Sequence, residues 1–457
     1  ESGVRAPADD LDLATDGGAP EVGTADGRSG SLTVAEGAAW AALTLAAVVL
    51  PLFRARSTPM WRSMWGEDAW MYVPQAIQDG PLANLFRGHG GYTHLPDRLL
   101  AAPMAFLPIE WAAPYFAVAP TLIAAAVGLF TAHLARAWIP SRLLQAALVM
   151  GMVLTPVAGS DITANVINLV WVYAAALPFV LASTEERTRD VIGRSVLAFA
   201  AATGSIVSVV FIPLALGWAI YRRTRAAITV VTVFGVGLLI QAVASRFAGS
   251  ATGLPPQRSL VDLSQLVEAR VFAAPLVGAH QASAWWQDHG QLFLLAATAV
   301  MLAALALVGW GATASGRVVG GILVLHAVAV MSFLALGRGT NVFRILGPLE
   351  VFQQERYAYI PSVLLLGAFA VLASQRREGE ELTGKIAVTV ICAHAVVVLA
   401  ISYTDVQYRN AGTDWAAEVD AARAECREAD ADDATAVLLQ ANKLGFFPVH
   451  LTCGDLD

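Results

Sequence analysis

The stretch VIGRSVLAFAAATGSIVSVVFIPLALGWAIY, residues 191–221, decides how the chain folds. Read as one helix, its 31 residues are too long for a bilayer without steep tilt. Read as two short helices, it needs only a tight turn at Gly204-Ser205, with Pro213 beyond it. The flanking charges arbitrate. Arg187, Arg189 and Arg194 stand at its start, and Arg222, Arg223 and Arg225 follow it. Cytoplasmic loops collect Lys and Arg, so both clusters belong on one side and the run must be a hairpin.

The rest of the chain extends this pattern. Hydrophobic residues make up 56% of the 457 and charged residues only 14%. Ordinary soluble domains carry about a quarter charged residues, and here the apolar residues come in long uninterrupted runs. Collagen-like, disulfide-framework and globally disordered classes are excluded, and the chain reads as an all-α polytopic membrane protein. A net charge of −7 with scattered basic residues excludes a nucleic-acid partner. Three cysteines exclude a CxxC redox or zinc framework.

Apolar runs near 37–53, 112–135, 141–158, 167–183, 191–207, 208–221, 226–245, 292–311, 318–336, 359–374 and 386–403 predict 11 spans. Residues 1–36, rich in Gly, Ala, Asp and Glu, read as a disordered cytoplasmic tail, with the first span as an uncleaved anchor. Residues 37–403 form the membrane region of a multi-pass plasma-membrane protein with a cytoplasmic N-terminus. Residues 404–457 are too polar for a bilayer and read as a small extracytoplasmic αβ cap. Within it, Trp415, Val419, Ala422 and Cys426 recur at helical spacing, and two strand-like stretches follow at 435–439 and 446–452. Cys426 and Cys453 could pair in an oxidising exterior, whereas Cys392 lies within a span.

The outer loops carry the chemistry. The long segment 54–111 holds Trp61, Trp65, Trp70 and Tyr72, which suit the headgroup level, and the acidic pair Glu67-Asp68. A partly shielded carboxylate there can act as a general base; an acidic pair also suits a helix start. Further along, Tyr92, His94, Asp97 and Arg98 cluster before apolar residues resume. Arg98 could bind a phosphate as a planar fork, or snorkel to the interface. His89, His94 and Asp97 match no metal-ligand spacing, so no metal site is assigned.

Segment 337–358 brings Arg338, Arg344, Glu350, Glu355, Arg356 and Tyr357 to the mouth of a late span. Arg356 needs a partner there, either Glu355 or Glu350 or an anionic ligand. Segment 246–291 has the pattern of an interfacial amphipathic helix, with Leu260, Leu263 and Leu266 on one face. Inside the spans, His133, His326 and His394 stand isolated and no Asp, Glu or Lys lies at mid-depth, which argues against an ion-coupled transporter. Walker, GxGxxG, GxSxG and HExxH motifs are absent.

Taken in order along one outer face, these motifs resemble the GT-C superfamily of polyprenyl-phosphate-sugar glycosyltransferases. They are Glu67-Asp68 after the first span, Gly91-Tyr92-Thr93-His94-Leu95-Pro96-Asp97-Arg98, the stretch Asn165 to Trp171 entering the fourth span, and Arg356-Tyr357 with Pro361. The second is similar to a Gly-Tyr-x-His-Leu-x-x-Arg stretch of actinobacterial membrane proteins of this type. The resemblance covers residues 37–403.

It implies transfer of a sugar from a polyprenyl-phosphate carrier to a glycan or glycolipid acceptor of the cell envelope, with inversion. It assigns the base to Asp68, with Glu67 as the alternate. His94, Arg98 and Arg356 would hold the phosphate, with Arg344 a weaker candidate, and Tyr92 and Tyr357 would contact the sugar or carrier head. A divalent cation is the one cofactor left open. A lipid or small-molecule transporter (flippase) and a non-catalytic envelope-assembly protein are the competing classes.

Overall fold

The computed structural model describes residues 33–85, 87–89, 92–155, 157, 162, 164–246, 259–338, 356–403, 412–428, 435–441 and 448–456. Two units divide at Ala42–Leu43, and the helical bundle belongs to the larger, Leu43–Asp457.

The first helix, α1, is Val34–Leu52. The segment after it folds into a π-helical turn, Asp68–Tyr72, then α2 (Val73–Gln78) and α3 (Leu95–Ala101). The bundle continues with α4 (Ala112–Ala135), α5 (Arg142–Leu154), α6 (Leu169–Leu181), α7 (Thr188–Gly204), α8 (Ile212–Arg222) and α9 (Arg225–Ser245). Next come α10 (Leu260–Val267), α11 (Ala279–His289), α12 (Gln291–Trp310), α13 (Ala314–Arg338), α14 (Arg356–Ser374) and α15 (Glu381–Ser402).

The run at 191–221 is a hairpin. Gly204 ends α7, and a Cβ there would meet Val170 at 2.7 Å, so only glycine lets α6 come this close. Ser205 is extended, and its hydroxyl accepts from the Val207 amide at 3.3 Å, which starts the next turn as an N-cap. The chain then doubles back. Arg222 at the end of α8 lies 3.4 Å from Glu186, just before α7.

Other contacts gather the arginine-bearing loops at this same end. Arg136 pairs with Glu185 at 2.5 Å, Gln375 donates to the Trp138 carbonyl at 3.1 Å, and Arg377 donates to the Ala312 carbonyl at 3.1 Å. At the opposite end, Arg54 donates to the Tyr403 carbonyl at 2.9 Å, joining the ends of α1 and α15. Successive helices therefore run alternately between two ends of one polytopic bundle.

Among the described residues, seven helices are long and apolar enough to cross a bilayer, which corrects the expected 11. They are Val34–Leu52, Ile109–Ala135, Arg225–Ser245, Gln291–Trp310, Ala314–Gly337, Arg356–Ser374 and Glu381–Ser402. The runs at 141–158 and 167–183 form helices of only 13 residues. The two halves of 191–221 give 17-residue segments, Thr188–Gly204 and Ile206–Arg222. A bilayer core needs about 20 residues of helix. The reason hydropathy overcounts is visible in α6, where every residue is buried by protein. A helix apolar all round can be a core helix instead of a lipid-facing one.

The tail forms an αβ cap: α16 (Trp415–Glu428) packs on the antiparallel pair β1 (Ala436–Gln440) and β2 (Pro448–Thr452). A disulfide joins Cys426 and Cys453. Alternate residues of both strands, Val437, Leu439, Val449 and Leu451, turn inward to meet Trp415 and Val419 of the helix. The same core takes in Met64, Trp65, Met71 and Tyr72, so the cap sits directly on the 54–111 segment. The Trp415 indole donates to the Ile109 carbonyl at 2.8 Å, and Arg62 pairs with Asp414. Trp65 and Tyr72 are therefore enclosed by protein and not placed among headgroups.

Candidate functional site

The candidate residues meet where α6 begins, about 20 Å along that 13-residue helix from the arginine-rich end. Asp68 opens the π-helical turn. Its two oxygens accept from the backbone amides of Val166 at 2.8 Å and Ile167 at 3.0 Å, immediately before α6. Its side chain is wholly buried. Glu67, one residue earlier, points differently. It accepts from Arg356 at 2.9 Å and from the Trp65 indole at 3.3 Å. Arg356 opens α14, 289 residues along the chain, and also lies over the Tyr357 ring at 5.5 Å. The side chains of Arg356 and Glu67 keep 22% and 17% exposure, so this pair is accessible where Asp68 is not.

The second group centres on α3. His94 occupies the left-handed region at φ 50°, a strained position for a side-chain-bearing residue. Its Nδ1 lies 3.1 Å from Asp97 Oδ2. Arg98 donates to the Gln75 side chain at 2.8 Å and to both oxygens of Asn84, and lies 5.6 Å over the Tyr72 ring. Thr93 anchors the loop: its amide donates to Gln241 Oε1 of α9 at 3.1 Å, and its hydroxyl donates to the Thr203 carbonyl of α7. Tyr92 pairs its backbone with His89 and packs edge-on to His94 at 5.5 Å. Tyr357 is buried edge-on against Trp171 at 5.3 Å.

Burial governs the electrostatics. The Asp97 carboxyl is held well above the usual carboxylate range, first by burial and then by the neighbouring Asp68 charge. Arg98 and the Tyr72 hydroxyl pull it the other way. Burial, and then Asp97, likewise raise the Tyr72 phenol, while burial lowers Arg98. Three buried polar atoms here close no hydrogen bond with the described residues: Asn84 Nδ2, and Arg98 Nε and Nη2. Such unmet demand is normally filled by internal water or by polar groups of a ligand.

Asp68, His94, Arg98 and Arg356 thus lie at one end of the bundle. Glu67 links to Arg356, and the Asp97 carboxyl feels Asp68, Arg98 and Tyr72. Arg344, Glu350 and Glu355 lie outside the described residues. Arg356 finds its partner in Glu67, which lay too far along the chain for spacing to suggest. Single amides carry no motif, so nothing in the sequence singles out Gln75 and Asn84. Asn165 and Asn168, noted only by resemblance, shape the α6 entry: each side-chain oxygen accepts a hydrogen bond, from the Asn168 amide and the Trp171 indole, both at 3.1 Å.

Comparison of the chain with family models, with curated proteins and with solved structures found no match in any of the three.

Proposed function

We propose that this membrane protein is a glycosyltransferase that moves a sugar from a polyprenyl-phosphate carrier to an extracytoplasmic envelope acceptor. The observation that carries the reading is the accessible Glu67–Arg356 pair, set against the buried Asp68, Asp97, His94 and Arg98 group. A phosphate leaving group needs a cation, and an acceptor hydroxyl needs a base, within one small space. The pair supplies both.

Asp68 has both oxygens committed to backbone amides, so the base role goes to Glu67. An anionic carrier headgroup reaching Arg356 would exchange with Glu67 and turn that carboxylate toward the acceptor. Glu67 then takes the hydroxyl proton, the acceptor oxygen attacks the anomeric carbon, and the carrier phosphate leaves with the bonding pair. One displacement inverts the anomeric centre. Arg98 and Tyr72, behind this pair, stabilise the charge that develops. From its charge bias we take the arginine-bearing end as cytosolic, with the site and the cap outside.

The test is transfer and donor binding in nanodiscs with a synthetic polyprenyl-phosphate sugar. Glu67→Gln should lose transfer while binding donor, and Arg356→Ala should weaken donor binding more than acceptor binding. Wild-type protein that binds no donor ends the reading. Complete burial of Asp68, Asp97 and Arg98 favours a second reading, a non-catalytic assembly protein with a structural polar core; it expects no donor binding at all.

A further inference from the structure

At the opposite end of the bundle, three elements converge on a different set of groups. His133 lies in the last turn of α4, Glu185 in the connector after α6, and Asp190 in the first turn of α7. One ligand-competent atom from each lies within 4.8 Å of the others. His133 is therefore not isolated, as its place in an apolar run had suggested.

We propose that His133, Glu185 and Asp190 form a binding site for a divalent transition-metal cation, Zn²⁺ in the first instance. Four observations carry it. His133 Nε2 lies 3.3 Å from Asp190 Oδ1, yet neither this nitrogen nor Asp190 Oδ2 makes a hydrogen bond among the described residues. Two atoms each about 2.1 Å from a tetrahedral cation stand about 3.4 Å apart, so the spacing is that of neighbouring ligands. The Asp190 side chain is only 5% exposed, and a buried carboxylate with an unmet oxygen calls for a cation or a donor.

The connector is also held in shape independently of any metal. Arg136 takes Glu185 Oε1 at 2.5 Å, and Arg194 donates to the Val180 and Glu185 carbonyls, both at 2.8 Å. Finally, the His133 and Glu185 side chains are 31% and 14% exposed, so solvent can reach the site and supply a fourth ligand.

The donor set argues for the class of metal. One imidazole with two carboxylates suits Zn²⁺ or a neighbouring first-row ion better than Mg²⁺ or Ca²⁺, which prefer oxygen alone. Arg136, and Arg189 at 3.9 Å from Asp190, oppose a cation, which places the affinity below that of an all-anionic cage. A cation here would join the connector to the ends of α4 and α7. This site stands apart from the outer polar group, and its test does not depend on glycosyl transfer.

The experiment uses the full chain, purified in detergent without a polyhistidine tag, stripped by chelator and titrated with Zn²⁺. Bound zinc and calorimetry should show one site, lost in His133→Gln, with at least a tenfold weaker affinity in Asp190→Asn. His394→Gln, on a lipid-facing helix, should bind as wild type. A monodisperse elution profile for His133→Gln guards against misfolding, and Co²⁺ should show the intense absorption of tetrahedral coordination in wild type only. Equal zinc in wild type and His133→Gln, or none in wild type, overturns the proposal.

Discussion

Two adjacent carboxylates, Glu67 and Asp68, differ in every property that matters to chemistry. The π-helical turn that begins at Asp68 sends its side chain inward, to the two amides ahead of α6, while Glu67 faces Arg356. Their amide variants should therefore separate function from stability. Asp68→Asn puts an N–H against a backbone N–H and removes a charged acceptor. It should lower the unfolding free energy by roughly 1.5–3 kcal/mol, read by thermal unfolding in detergent. Glu67→Gln should leave the midpoint nearly unchanged and remove transfer. A Glu67→Gln protein that transfers at the wild-type rate sinks Glu67 as the base.

Asp97 gives a pH test at the same scale. Its folded pKa is raised above the ordinary value near 3.8, so the folded state holds the proton more tightly than the unfolded one. The proton's contribution to stability is complete below that ordinary value and is lost as pH rises through the folded pKa. Wild type should thus lose stability on going from about pH 4 upward, and Asp97→Asn should show a flatter profile over the same window. Parallel profiles would mean that Asp97 titrates normally.

Among the elements, the close approach of α7 to α6 depends on one missing methyl group. Gly204 and Gly217 both lie in helical segments, so replacing either by Ala offers a similar gain in propensity, about 0.5–1 kcal/mol. Only Gly204 abuts a neighbour, with a Cβ there meeting Val170 at 2.7 Å, whereas a Cβ at Gly217 meets nothing within 4 Å. Gly204→Ala should cost about 1–3 kcal/mol net of that gain, and Gly217→Ala should be neutral or stabilising. Similar midpoints for both would show that α6 and α7 pack loosely.

For the whole molecule, the cap couples the tail to the first loop. The disulfide closes a segment with a sequence separation of 27, worth about 3–4 kcal/mol in the chain-entropy view. Cys426→Ser should lower cap stability by that order and expose the Trp415 and Trp65 indoles, seen as a red shift in fluorescence. Because Tyr72 and Met71 share the cap's core, the loosened variant should also bind donor more weakly. Orientation can be checked directly: a cysteine placed at Ser141 should be labelled only from the cytosolic side, and labelling from outside reverses the topology.

Composition and charge pattern by themselves determined the helical membrane class, the hairpin at Gly204-Ser205 and the grouping of arginine loops at one end. Each follows from local quantities: hydropathy over a window, a glycine beside a capping serine, and a bias in Arg. The αβ character of the tail was legible for the same reason, since helical spacing and short apolar strands are read over a few residues. Tertiary structure alone decided the rest. It turned four apolar runs into helices too short to span, because an apolar side chain buried in protein looks the same in sequence as one buried in lipid. It paired Arg356 with Glu67 and brought His133 to Asp190, because contacts between distant segments depend on how helices pack, and no spacing rule records that.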